Sequence, residues 1–108
     1  MSEIDPEDAR RRLDAGEAVL VDVREPHEWE TGHAPGALHR PLGELDPSEF
    51  AGRRVITTCR GGGRGARAAA ALTEAGVEAV ALRGGLRGWT EAGGPVVRDD
   101  GSPGTLDA

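Results

Sequence analysis

The sequence predicts one α/β domain built on a parallel sheet with helices on both faces. Three observations lead there. Apolar, β-branched runs of strand length stand at 18–23, 53–58 and 77–82, as expected of strands covered on both sides. Stretches with helical spacing or helix-start and helix-stop residues alternate with them, which is the pattern of crossover connections. The length of 108 residues suits a single core.

Taken in order, residues 5–15 open on Asp5-Pro6 and close on Gly16, a start and stop that fit a short helix with Ala9 and Leu13 turned inward. The run Ala18-Val19-Leu20-Val21-Asp22-Val23 is the first buried strand. Pro26 starts one or two helical turns that Gly32 stops, and His33-Ala34-Pro35-Gly36 makes a turn. Residues 37–42 are a weaker strand candidate, and residues 43–52 read as a loop with a turn at Asp46-Pro47 and a little helix.

The second buried strand, 53–58, runs directly into Cys59-Arg60-Gly61-Gly62-Gly63-Arg64-Gly65. Residues 66–75 then place Ala68, Ala71, Leu72 and Ala75 at helical spacing before Gly76. A third strand at 77–82, a Gly84-Gly85 turn and a short helix at 86–92 carrying Trp89 complete the pattern. Residues 1–96 form the expected domain. From Val97 onward the chain is polar and turn-rich, and residues 97–108 are expected to form a flexible tail.

Composition narrows the classes of function. A net charge of -6 argues against nucleic acid or an anionic membrane as a partner. No window is apolar enough to span a bilayer and the first dozen residues carry no apolar run, so the expected location is the cytoplasm. A single cysteine excludes an internal disulfide, a multi-thiolate metal cluster and a paired-cysteine redox motif.

Chemistry is expected at Cys59. A cysteine at a strand end is by itself an ordinary small apolar residue, but Cys59 stands where open parallel sheets bind ligands, beyond the carboxyl end of a strand. The loop behind it holds Gly61, Gly62, Gly63 and Gly65, which free the backbone to turn its N–H groups inward as an anion nest. The positive end of the following helix and the flanking Arg60 and Arg64 favour the thiolate over a thiol of ordinary pKa near roughly 8.5. The loop does not fit a nucleotide-phosphate loop, which needs a lysine followed by serine or threonine, because the chain has no lysine.

Over roughly residues 5–96 the sequence resembles the rhodanese family. Val21-Asp22-Val23-Arg24-Glu25, with Glu28-Trp29 and Gly32-His33-Ala34-Pro35-Gly36-Ala37, resembles the family's first signature. Cys59-Arg60 through Arg64 resembles its active-site loop, and Leu82-Arg83-Gly84-Gly85 with Trp89 its last signature. The resemblance implies a three-layer α/β/α fold with a five-stranded, mainly parallel sheet. It implies a sulfurtransferase that moves a sulfane sulfur from thiosulfate or another persulfide donor, through a Cys59 persulfide, to a thiol or cyanide acceptor. A protein cysteine is included among those acceptors, and no metal or organic cofactor is called for.

Four residues separate Cys59 from Arg64, the short loop of the family's sulfurtransferases. The related phosphatases and arsenate reductases carry one residue more. Gly65 departs from the serine or threonine common in the family, which keeps open a low-turnover sulfur-carrier or protein-binding module as the first alternative, with a cysteine phosphatase or arsenate reductase of the same fold as the second. Arg60 and Arg64 are placed to attract an anionic donor, with Arg64 otherwise pairing a carboxylate. Asp22 and Arg24 are supporting residues at a strand end, either organising the rim or forming a structural ion pair with Glu28 as a candidate partner. His33 reads as structural, His27 and His39 as surface residues, and Trp29 and Trp89 as core or near-core anchors.

Overall fold

A computed structural model describes residues 3–106 of the chain. Met1, Ser2, Asp107 and Ala108, the outer ends of the expected domain and tail, lie outside the described residues. Five strands form one sheet in the order β1-β5-β4-β2-β3: β1 Glu3–Ile4, β2 Val19–Asp22, β3 Leu38–His39, β4 Arg54–Thr58 and β5 Glu78–Leu82. Every pairing is parallel, with Leu20 opposite Ile56 and Ile56 opposite Val80.

Helices α1 Pro6–Asp14 and α4 Gly85–Glu91 cover one face. There Ala9, Leu86 and Trp89 bury Leu20, Ile56 and Leu82. Helix α3 Gly63–Glu74 covers the other, setting Ala68 and Leu72 against Val21, Val55 and Val77 together with Phe50. The alternation of strand side chains divides the two cores: Val55 faces α3 while its neighbour Ile56 faces α1 and α4. The fold is therefore the three-layer α/β/α arrangement, with a short helix α2, Pro26–Thr31, after β2.

The chain leaves β2 toward β3 on one side and leaves β4 toward β5 on the other. That divergence opens a crevice at the carboxyl ends of β2 and β4, the place where doubly wound sheets hold ligands. Cys59 follows β4 directly.

Three features differ from the sequence reading. The edge strand β1 has two residues, too few for any alternation to register. Helix α3 begins at Gly63, so the second half of the glycine loop is already its first turn. The segment after Val96, expected as a flexible tail, folds back over α2. Val97 bridges His33 and Pro103, and the Thr105 N–H donates to the Thr31 carbonyl at 2.9 Å. Two bare Cα atoms permit this contact, since a Cβ on Gly32 would stand 2.5 Å from the Thr105 carbonyl oxygen and one on Gly104 2.7 Å from the Gly32 Cα. The polar residues that suggest disorder are occupied in turns, Ser102 donating to Asp100 through both its amide and its hydroxyl.

Candidate active site

Cys59 is 1% exposed, and its sulfur is met by backbone. The Gly62 N–H donates to Sγ at 3.1 Å and the Gly65 N–H at 3.2 Å. Local conformation makes this convergence feasible. Gly62 has φ of 120°, a left-handed value that side chains resist, and it turns the chain into α3 so that the first helical amides face back toward the sulfur. Those amides lack intrahelical acceptors and lie at the positive end of the helix dipole. The arrangement is a cradle for negative charge on Sγ, or on an atom bonded to it.

Helix α4 closes the loop from the other side. The Leu86 N–H donates to the Cys59 carbonyl at 2.8 Å and the Arg87 N–H to the Arg60 carbonyl at 3.0 Å. A Cβ on Gly85 would fall 2.5 Å from the Cys59 oxygen, and Gly85 has φ of 59°. In the sequence Gly84-Gly85 reads as a turn; in the structure it also packs onto the Cys59 loop. The paired glycines were the available signal.

Arg64 extends from the first turn of α3 to Glu28 on α2. Its Nη1 donates to Oε1 at 2.6 Å and its Nη2 to Oε2 at 2.9 Å, a bidentate pair. The Arg64 hydrogen bonds hold the Glu28 carboxyl down at about 2, against the opposing effect of its burial. Of the two roles open to Arg64 in the sequence, carboxylate pairing is the one in the structure. Arg60 is half-buried beside α4.

Asp22 and Arg24 do form a buried ion pair, at 0% and 1% exposure. The Arg24 Nη2 donates to Asp22 Oδ2 at 2.8 Å and to the Gly32 carbonyl at 2.7 Å, tying the end of β2 to the end of α2. The candidate partner Glu28 belongs instead to Arg64. His39, expected at the surface, is half-buried. It stacks on Trp29, as does His33 at a ring separation of 3.6 Å, and a nitrogen of His39 lies 2.8 Å from the Arg24 carbonyl. Trp89 is a core residue at 4% exposure. Trp29 is half-buried, its indole N–H donating to Asp99 at 3.1 Å.

A surface depression of 380 Å³ lies at the opposite pole, lined by Glu17, Gly52, Arg53 and Arg54 among others. It lies at the amino ends of β2 and β4, remote from Cys59 and its converging donors. Among the described residues no helix is long and apolar enough to cross a membrane.

The chain is similar to known proteins over most of its length. Residues 5–92 match the model of the rhodanese-like domain. A sulfurtransferase of Allochromatium vinosum is 37% identical over 107 residues, covering 94% of this chain and 99% of that protein. An HTH-type transcriptional regulator of Mycobacterium tuberculosis is 39% identical over 109 residues, covering 91% of this chain and 47% of its own length. The chain thus spans about half the length of the first curated relatives it matches. Among solved structures, a thiosulfate sulfurtransferase from Pseudomonas aeruginosa superposes with a TM-score of 0.81 at 33% identity, over 100% of this chain and 22% of that one.

Proposed function

The chain belongs to the rhodanese-like family, a family of sulfurtransferases, and we propose that it carries a sulfane sulfur on Cys59 between an anionic donor and a thiol or cyanide acceptor. The observation that carries this reading is the pair of N–H groups from Gly62 and Gly65 on Sγ. They stabilise a thiolate before reaction and, after it, an anionic outer sulfur in the same cradle.

Two displacements make up the cycle. The Cys59 thiolate attacks the outer sulfur of thiosulfate, an S–S bond to Sγ forms, and the bond from that sulfur to the sulfonate breaks as sulfite leaves with its electron pair. An acceptor nucleophile then attacks the outer sulfur, and the S–S bond to Sγ breaks with its electrons returning to Cys59. Total charge is conserved in each step, and no external oxidant or reductant is needed. Arg60, beside the loop, supplies positive charge for an anionic donor. Arg64 holds the first turn of α3 through Glu28, while Asp22 and Arg24 support the crevice wall from β2.

The loop count of four residues between Cys59 and Arg64 supports sulfur over phosphate as the transferred group. Mass spectrometry of the intact protein after thiosulfate treatment tests the proposal directly. The expected product carries one added sulfur that cyanide removes, and the absence of any adduct on folded protein would refute it.

A further inference from the structure

The cradle depends on a glycine being held still. Gly65 supplies one of the two donors to Sγ, yet it has no side chain to restrict its backbone, and glycine is the residue with the most freedom to lose. Two contacts from β4 restrain it. A Cβ at Gly65 would approach the Thr58 Cα to 3.3 Å, so the bare Cα lets α3 lie directly on the strand end. From the same strand the Thr57 hydroxyl, fully buried at 0% exposure, donates to the Gly65 carbonyl at 2.6 Å.

Resting on the sulfur-carrying reading above, we infer that Thr57 is a positioning residue for the cradle. Its hydroxyl pins the Gly65 carbonyl and, together with the close Thr58 contact at the Gly65 Cα, limits rotation at that Cα, through which the adjoining peptide plane keeps its N–H aimed at the cysteine sulfur. The alternation of β4 puts Thr57 on the α3 face with Val55 and Cys59, so the contact needs no distortion of the strand. A threonine is otherwise costly there, because a buried hydroxyl must find a partner. Its partner belongs to one of the two glycines whose N–H groups donate to Sγ. Thr57 thus orients a donor to the anionic sulfur without touching that sulfur itself.

The test uses Thr57→Val, which keeps shape and removes the hydroxyl, and Thr57→Ser, which keeps the hydroxyl. Because Cys59 is the sole cysteine, iodoacetamide alkylation followed against pH reports on its thiolate alone and needs no turnover. Thr57→Val is expected to displace the alkylation profile to higher pH and to slow sulfur loading from thiosulfate about three- to tenfold, in line with one weakened hydrogen bond to a charged group. Thr57→Ser is expected to restore both. If Thr57→Val perturbs folding, Thr57→Ala read against Thr57→Ser serves the same comparison. A folded valine or alanine variant with an unchanged profile and loading rate would overturn the inference. Should the profile shift while even the wild-type protein accepts no sulfur, the positioning role stands and the sulfur-carrying reading falls.

Discussion

Cys59→Ser is expected to abolish sulfur loading while leaving the circular dichroism spectrum and melting transition near those of the parent, because a serine oxygen fits the space and forms no persulfide. Glu28 carries a different expectation, since its charge serves the fold. Its carboxyl is held at about 2 by Arg64, below the unfolded value, so its stabilising contribution is complete above the ordinary carboxyl range and is lost as pH falls through that range toward 2. Glu28→Gln should lower stability by about 1–3 kcal/mol at neutral pH and flatten that acid limb, both measurable by denaturant unfolding at several pH values. Cys59 was legible in the sequence because a strand, a cysteine and a glycine loop are contiguous. The Glu28–Arg64 pair was not, since the two are joined by folding across 36 positions and Arg24 offered Glu28 an equally plausible guanidinium.

At the scale of elements, the turn into α4 and the loop after β4 form one unit. Gly85→Ala should cost about 2 kcal/mol or more, because a left-handed φ and a Cβ pressed against the Cys59 carbonyl add together. The same variant should slow sulfur loading, and thermal unfolding beside a loading assay checks both. Loop length is the second lever. One glycine inserted after Gly62 should spread the amides now gathered on Sγ and reduce sulfur transfer by about a hundredfold, with weak aryl-phosphate hydrolysis as the gain if the wider loop keeps its shape. Strong, Cys59-dependent phosphatase turnover by the unmodified protein would contradict the assignment to sulfur. The strands and helices were legible wherever apolar period and stop residues agreed, as at 53–58 and in α3. The packing of Gly85 onto the loop escaped because a Gly-Gly pair specifies a turn without saying what backbone it meets.

Over the whole molecule, the parallel sheet brings Cys59 to the crevice between β2 and β4 and leaves the tail to brace α2 from outside. Ending the chain at Val96 removes the Thr105–Thr31 and Asp99–Trp29 contacts and bares one side of the Gly32 turn. A fall in melting temperature with sulfur loading retained is the expected outcome, read by calorimetry and mass spectrometry on one sample. Polar composition pointed to a loose tail, and the complementary glycines at positions 32 and 104 that defeat this reading are 72 positions apart. The depth of the sulfur has a consequence for traffic through the molecule. With Cys59 only 1% exposed, reagents should be sorted by girth before reactivity. Slender species such as cyanide should be admitted and a bulky aromatic disulfide turned away, and a peptide thiol on a narrow, protruding arm should be accepted over one set in a flat surface.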